Sequence, residues 1–357
     1  MKIVNNVMTE NNIILNKKVA NKTAEMLSRD WKSYFKLKGI QQNRRLPGYK
    51  KQEFHELIYN NQAFSQSKYH KENRILASGM KTGIQLPYKF KNLDIMEVRI
   101  TKVYGKIYLF LVYRIDQAIK LNPESNIAAI DLGINCLATL TFNKEKKPIV
   151  FKDLELKSIN QYYNKQLAYY KSKLPKNKYA SRRIEKLSEK RSNRIMHHIH
   201  CLTKNIADVL AKEQIGLLII GYTKNFQQST NMSKANNQNF VNIPFGKIIK
   251  QLEYKCPFTK IVLQEESYTS KANCVNADYI PTYGVDDYLR NFSGYRTDRG
   301  LYKIKGTRKF IQADVNGSYN IMRKYLNTQG RQPENKFLRN WLSRGNVVMP
   351  LGRRIFS

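Results

Sequence analysis

The sequence is poor in acidic residues. Asp and Glu together number 27, against 63 Lys and Arg in 357 residues, which gives a formal net charge of +36. A compact protein with such an excess of one sign repels itself unless it binds a polyanion. The cations lie among 23 Tyr and 15 Phe, a combination that suits phosphate backbones and stacked bases. A ribosomal protein or a generic cationic surface is the alternative, and nucleic-acid binding is favoured.

Cysteines and long apolar runs are also scarce. The four cysteines, Cys136, Cys201, Cys256 and Cys274, are far apart and form no CxxC pair, which argues against a disulfide framework or a four-cysteine zinc site. No apolar run approaches the roughly 20 residues of a membrane span. Polar residues also interrupt the N-terminal stretch where a signal peptide would have its apolar core. We therefore expect a cytoplasmic protein that does not associate with a membrane.

Residues 1–125 predict a helix followed by a mostly β module. The helix, over residues 15–37, has one apolar face made of Val19, Ala20, Ala24, Leu27, Trp31 and Phe35. Strand character is clearest at residues 96–100 and 106–115, and Tyr104-Gly105 supplies the turn of a hairpin. Both faces of the second strand are expected to be buried or stacked.

Residues 126–325 have the order of elements of an RNase H-like sheet, which is an α/β fold. An apolar strand at 127–130 ends at Asp131, and residues 136–142 are its hairpin partner. A basic helical pair at 156–212 follows, broken at Pro175, and then a strand at 215–220, a polar loop at 227–239, a short helix at 248–254 and a strand at 261–263. Residues 267–312 are predicted to be an irregular insertion and 313–325 a helix. The tail at 326–357 shows no clear periodicity.

Two aspartates are candidate catalytic residues. Asp131 follows a buried-type strand, where a carboxylate is costly unless it meets a cation or hydrogen-bond donors. Asp314 lies in the first turn of a helix, where the helix dipole alone is a sufficient explanation. The sharper interpretation is that the two meet to hold Mg²⁺, with Mn²⁺ as the alternative ion, since hard cations take oxygen ligands. Phosphodiester hydrolysis uses two such ions about 4 Å apart, so a third carboxylate is expected.

Other candidates concern binding and support. A solvated face is the alternative for the cations of the second helix, but their uniform sign favours a nucleic-acid track. The residues of this track are Arg182, Arg183, Lys186, Lys190, Arg191 and Arg194. A further group of residues resembles a metal cluster: His197, His198, His200 and Cys201. On a helix these side chains point in several directions, so surface or phosphate-contacting histidines are favoured over a metal site. Trp31 and Trp341 are expected to be core anchors, and Asn320 either supports the site or is an ordinary helix residue.

Several segments resemble the TnpB family of transposon-encoded RNA-guided DNA endonucleases, which are ancestral relatives of type V CRISPR effectors. Residues 130–135 (IDLGIN) with 137–139 (LAT) resemble its first RuvC motif, and residues 314–321 (DVNGSYNI) its third. Residues 268–271 (YTSK) resemble the entry to its insertion, and 31–35 (WKSYF) and 46–50 (LPGYK) its N-terminal half. The resemblance implies a RuvC nuclease domain, a wedge-like β-barrel, a guide RNA from the transposon end and a double-stranded DNA target in a prokaryotic cell, where the protein would be nucleoid-associated.

The sequence departs from the family at the second catalytic position. The family usually has a glutamate after the strand that matches residues 215–220, but this chain has Gly221 there and no Asp or Glu between Gly216 and Leu252. The next strand ends in Glu265-Glu266, from which a relocated carboxylate can reach the same metals. Glu266 is favoured because it leads directly into residues 267–270. The alternative is that both are solvated charges at a strand end.

Two further departures concern zinc and the N-terminus. The family's insertion usually carries a zinc ribbon, but only Cys274 remains in this one, so no zinc is expected. The N-terminal region begins late, so part of the guide-recognition region is expected to be short or missing. A magnesium-dependent, RNA-guided endonuclease is the leading hypothesis. A cleavage-dead RNA-guided DNA-binding repressor is the alternative, and a transposase that performs strand transfer is a third.

Overall fold

The chain divides into two compact units, residues 1–118 and 119–357. A computed structural model describes residues 16–39, 45–48, 54–115, 122–133, 136–153, 155–222, 243–286, 288–297, 300–331, 338–340, 342 and 347–355. Several sequence-based expectations lie outside these residues, namely parts of the motifs at 46–50 and 130–135, the loop at 227–239 and Trp341. In the described parts of the chain, no helix combines the length and apolarity needed to cross a membrane.

The first unit contains a three-stranded antiparallel sheet in the order β1-β4-β5 and a two-stranded ladder of β2 and β3. Its elements are α1 (Lys17–Lys38), β1 (Leu57–Asn60), α2 (Gln66–Glu72), β2 (Arg74–Ile75), β3 (Ile84–Gln85), β4 (Asp94–Val103) and β5 (Lys106–Arg114). The predicted hairpin is confirmed, because Val103 pairs with Lys106 and Tyr104 and Gly105 both have positive φ, as a tight two-residue turn requires. In the described residues these strands form an open sheet rather than a closed barrel.

Two surfaces of this unit are more exposed than the sequence predicts. In α1, Val19 and Ala20 are buried, but Leu27 and Phe35 are exposed, and Trp31 stacks on Phe35 with ring centroids 5.6 Å apart. Strand β5 is the edge of the sheet, so only its inner face packs against the core. The outer face of β5 is therefore not buried, although Tyr108 and Phe110 form a ring pair on it.

The second unit contains a six-stranded sheet in the order β10-β9-β6-β7-β8-β15. Its elements are β6 (Ile127–Asp131), β7 (Ala138–Phe142), β8 (Ile149–Lys152), α3 (Glu155–Ser172), α4 (Arg182–Lys212), β9 (Leu217–Gly221), α5 (Phe245–Lys255), β10 (Lys260–Gln264), β11 (Gly294–Arg296), β12 (Leu301–Ile304), β13 (Phe310–Gln312), α6 (Ala313–Thr328), β14 (Val347–Val348) and β15 (Leu351–Arg354). Strands β6, β7 and β8 form an antiparallel meander, while β9 runs parallel to β6 and β10 parallel to β9. This is the RNase H-like topology that the sequence predicts.

The central strands are buried on both faces. Ala128 and Ile130 of β6 belong to a core shared with α4 and α5, whereas Ile127 and Ala129 pack with Ile321 and its neighbours on α6. Successive strand residues point to opposite faces, so α6 covers the face opposite α4 and α5. This packing brings the N-terminal turn of α6 to the edge of the sheet where β6 ends.

The insertion and the tail are more regular than predicted. Residues 294–312 hold the antiparallel strands β11, β12 and β13, and β14 pairs with β13. The last strand, β15, pairs in parallel with β8 and extends the main sheet. Both additions are strands of two to four residues, too short for a period-2 pattern to be recognised in the sequence.

Candidate active site

Asp131 ends the central strand at the point where α6 approaches most closely. It pairs with Thr139 of the neighbouring strand and is partly buried. A Cβ atom added to Gly317 of α6 would lie 2.7 Å from Asp131 Oδ2, so only glycine allows this approach. The third motif therefore contributes a backbone that closes over the aspartate of the first.

Asp314 is held in the first turn of α6. The Gln312 side chain caps the helix by accepting from Val315 N at 2.7 Å, and its Nε2 donates to Asp314 Oδ2 at 2.8 Å. Arg296, from strand β11 of the insertion, lies 3.4 Å from Asp314 Oδ1. The Cys136 thiol forms a hydrogen bond with Asp314. Burial is the main cause that raises the pKa of this thiol to about 12, so it stays neutral beside the carboxylate.

Glu266 occupies the place that a side chain at position 221 would take. Gln264 of β10 is paired with Gly221 of β9, and Glu266 follows two residues later. A Cβ atom built on Gly221 would lie 2.9 Å from Glu266 Oε2. The carboxylate on the neighbouring strand thus fills the space left by the glycine.

The three carboxylates interact electrostatically although they are far apart in sequence. Burial is the largest cause that raises the pKa of Asp131 to about 8, and the charges of Glu266 and Asp314 raise it further, while Arg296 opposes them. Like charges that share a partly desolvated site disfavour ionisation of one another. Such a set is expected where a cation is normally bound.

The donor set fits a hard divalent cation. In the described parts of the chain, no three His, Cys, Asp or Glu side chains are close enough to hold a metal ion as they stand. The three carboxylates nevertheless supply the oxygen ligands that Mg²⁺ and Mn²⁺ prefer. A divalent ion among them would relieve the repulsion that raises the pKa of Asp131. The residues that would hold it are Asp131, Glu266 and Asp314.

Glu265 has different partners. Its carboxylate accepts from Lys324 Nζ at 2.5 Å and from Ser267 N at 2.5 Å. Burial raises its pKa, but these hydrogen bonds outweigh that effect and hold the pKa below its ordinary value. Lys324 is itself buried and also donates to Ser267 O and Pro281 O. Glu266, rather than Glu265, is therefore the glutamate whose charge acts on Asp131.

Helix α6 also fixes the start of the insertion. Asn320 Nδ2 donates to Thr269 O at 2.8 Å and to Ala272 O at 2.6 Å. Asn316 bridges the backbone of Ala272 and Cys274 in the same way. Asn320 thus supports the site by holding the segment that follows Glu266. The contribution of Arg296 and Lys324 was missed, because neither belongs to a motif and only the fold brings them to the carboxylates.

The histidine group does not converge on one point. His198 is buried, and its Nδ1 lies 2.6 Å from Oδ2 of Asp153, whose other oxygen caps α3. The expectation of a surface histidine is therefore wrong for His198, because α3 packs over it. His197 and His200 are exposed, and Cys201 Sγ lies 4.0 Å from His197 Nε2.

The cations of α4 are arranged unequally. Arg182, Arg183, Lys186, Lys190 and Arg194 are exposed, as a nucleic-acid track requires. Arg191 instead donates to Asn160 Oδ1 at 2.8 Å and lies over the Tyr163 ring at 4.7 Å. It joins α4 to α3 and is the least suited of the six to contact a phosphate.

We expect charge reversal on α4 to weaken RNA binding and reduce its salt dependence. Replacing Arg182, Arg183, Lys186 and Lys190 with Glu removes phosphate contacts, each worth roughly 0.7–0.9 in the slope of log K against log salt. The slope is measured by titrating labelled RNA at several salt concentrations. The exposed lysine Lys250 of α5 provides a control substitution outside the helical pair. An unchanged slope would contradict the assignment of this track.

Comparison with known proteins supports the interpretation of the motifs. Residues 110–227 match the family model OrfB_IS605, described as a probable transposase. The match runs from the end of β5 through β9 and includes Asp131, whereas Glu266 and Asp314 lie beyond it. The match covers about a third of the chain. It agrees with the resemblance of residues 130–139 to the first RuvC motif of the TnpB family, whereas residues 314–321 lie outside it.

Solved structures also resemble this chain. One is described as the cryo-EM structure of the Cas12f1-sgRNA-target DNA complex, with 16% identity, a TM-score of 0.45, and coverage of 64% of this chain and 45% of that chain. Another, the cryo-EM structure of a CRISPR-Cas12f ternary complex, has 14% identity, a TM-score of 0.38, and coverage of 86% and 70%. The match to the first thus spans less than half of its length. No curated protein matches the chain.

Proposed function

We propose that the protein is an RNA-guided DNA endonuclease of a transposon, which hydrolyses phosphodiester bonds with two divalent cations. The convergence of Asp131, Glu266 and Asp314 at one edge of an RNase H-like sheet carries this proposal. The net charge of +36 and the resemblance to the TnpB family support a guide RNA and a double-stranded DNA target as partners. Base pairing with the guide would supply the sequence specificity.

The side chains have distinct roles in this proposal. Asp131, Glu266 and Asp314 would hold Mg²⁺ or Mn²⁺, and Asp131 would have to be ionised to do so, since only the ionised carboxylate is a good ligand. Bound there, such ions would supply Lewis-acid activation of water and stabilisation of the leaving oxygen. Arg296 provides a fixed positive charge beside Asp314, and the neutral Cys136 thiol adds no negative charge to the site.

A repressor that binds DNA without cutting it is the second candidate, because Gly221 stands where the family usually has glutamate. The test compares wild-type protein, bound to RNA from the transposon end, with Asp131→Ala on a DNA target that matches the guide. We expect RNA matching the adjacent genomic sequence to co-purify, and Mg²⁺-dependent cleavage by the wild type only. Target binding without cleavage by the wild type would favour the repressor, and absence of a discrete RNA would contradict guide dependence.

A further inference from the structure

The outer face of the β4–β5 hairpin carries a pair of aromatic rings. Tyr108 and Phe110 are two residues apart on β5, so they project from the same face of the strand. Their ring centroids are 6.3 Å apart with planes inclined by 31°. Phe110 is 48% exposed, and Leu109 between them points to the core. Tyr108 is half-buried. The two rings therefore lie next to each other on the outer side of an open sheet.

Cations border these rings. Phe110 pairs with Arg99 across β4, and Arg99 Nε donates to Glu97 Oε1 at 2.5 Å, so its guanidinium is held by a residue of the same strand. Arg114 lies on the same face as Phe110, four residues along β5, with Asp94 3.9 Å away. The two carboxylates each face a cation, and Glu97 is also approached by Lys22 of α1 at 3.7 Å. Each arginine beside the aromatic pair is thus matched by a carboxylate, and Lys22 is a further cation.

We propose that Tyr108 and Phe110 form a stacking platform for two unpaired nucleotides of RNA. Aromatic side chains bind bases through their π-faces, and a duplex offers only base edges and backbone at its surface. The spacing of the rings is close to the roughly 6.6 Å between alternate residues of a strand, so two successive unstacked bases can each lie on one ring. Arg99 and Arg114 are placed to meet the phosphates that connect them.

This face suits a nucleic acid better than a protein. Its apolar surface is broken by the charged pairs of Glu97 and Asp94, whereas the centre of a protein interface is depleted in charge. The assignment to RNA rather than to DNA rests on the proposed function, in which the RNA guide is bound before the target. The platform adds a site on the first unit to the basic track on α4.

The test measures the binding of a fluorescein-labelled 12-nucleotide oligouridine, and of an RNA duplex of the same length, to the full-length protein by anisotropy. Stacking contributes enough per base that Phe110→Ala and Tyr108→Ala should each weaken oligouridine binding about 5-fold or more, and leave duplex binding unchanged. Phe110→Trp should retain affinity. Tyr113→Ala is the matched control, since Tyr113 lies on the same strand, is 42% exposed and points to the opposite face.

Because other basic surfaces also bind oligonucleotides, photo-cross-linking with 4-thiouridine in the oligouridine locates the contact. We expect a cross-link to the peptide containing residues 106–114 that Phe110→Ala removes. The platform would be overturned if the Tyr108→Ala/Phe110→Ala variant bound oligouridine within twofold of the wild type. It would also be overturned if Tyr113→Ala lost as much oligouridine affinity as that variant. Equal or tighter binding of oligothymidine with the same dependence on Phe110 would overturn the assignment to RNA.

The platform and the proposed function can fail separately. Guide-dependent DNA cleavage by a Tyr108→Ala/Phe110→Ala variant that binds oligouridine normally would refute the platform and leave the nuclease intact. A wild type that stacks oligouridine through Phe110 but carries no guide and cuts no DNA would leave the platform and refute guided cleavage.

Discussion

Glu266→Gln should abolish DNA cleavage, whereas Glu265→Gln should leave the rate within about tenfold of the wild type. The two substitutions are chemically identical and adjacent, so they separate position from chemistry. Glu266 raises the pKa of Asp131 through its charge, but Glu265 is bonded to Lys324 and Ser267. Mutation of a residue that only hydrogen-bonds to a metal ligand typically lowers metal affinity or activity by about 10–100-fold. Loss of a direct ligand such as Glu266 should therefore lower the cleavage rate by more than about 100-fold.

The measurement is single-turnover cleavage of a matched DNA target with guide RNA and Mg²⁺, together with target affinity. Affinity should change little, because guide pairing and backbone contacts supply it. Cleavage lost with Glu265→Gln and kept with Glu266→Gln would show that the third ligand is one residue earlier. Cleavage kept with both would contradict relocation altogether.

Returning a carboxylate to β9 offers a rescue of a Glu266→Ala variant. A side chain at Gly221 would meet Ile321 Cδ1 at 2.5 Å and Glu266 Oε2 at 2.9 Å, and Ile321→Val and Glu266→Ala remove those atoms. The variant Gly221→Glu/Ile321→Val/Glu266→Ala is therefore expected to cleave faster than Glu266→Ala, and Ile321→Val alone is its control. Recovery would show that the two strand ends serve the same metal site.

The aspartates could be predicted because local signals mark them. Four apolar residues precede Asp131, and the apolar residues after Asp314 recur with the period of a helix. The end of strand β6 and the start of helix α6 are therefore both visible in the sequence. The order of strands and helices then predicts one sheet, at whose edge such residues meet. These inferences depend on patterns within segments of about ten residues, and the structure agrees with them.

The position of Glu266 depends on a register that no local pattern contains. Only the pairing of Gln264 with Gly221 shows that the end of β10 lies beside the space left by the glycine. The sequence could offer Glu265 and Glu266 as a pair, with the resemblance as a guide to the choice. The hydrogen bonds of Lys324 distinguish them, and Lys324 lies about 60 residues further along the chain.

Arg296 and strand β15 could not be predicted for a related reason. Arg296 lies in a three-residue strand of the insertion, with no apolar run beside it, and reaches Asp314 only because β12 and β13 return the chain to α6. The β15 strand gains its stability from pairing with β8. In both cases tertiary contacts determine the structure, and local propensity is too weak to show it.

Asp131→Asn should make the metal-free protein more stable at pH 8.5 and reduce the pH dependence of its stability. The pKa of Asp131 is about 8 in the folded protein against an ordinary 3.8, so between these values the folded protein holds a proton that the unfolded chain has released. The stability that this group contributes is fully present below about pH 4 and is lost as pH rises through 8. The shift corresponds to at most about 6 kcal/mol of unfolding free energy.

Magnesium should reverse this trend in the wild type but not in the variant. The ion binds the ionised carboxylates and only in the folded state, so it stabilises the protein most at high pH. Urea unfolding at pH 5.5 and 8.5, with and without Mg²⁺ at constant ionic strength, measures both effects. Asp208→Asn is the control, because it removes an exposed carboxylate from α4 of the same unit.

Two outcomes would contradict this prediction. Equal stabilisation of the wild type and Asp131→Asn by Mg²⁺ would show that the ion binds elsewhere. An identical pH dependence of stability in the two metal-free proteins would show that Asp131 is already ionised. A stability gain from Mg²⁺ at pH 8.5 that Asp131→Asn and Glu266→Gln both remove would place the two carboxylates on one ion without any measurement of cleavage.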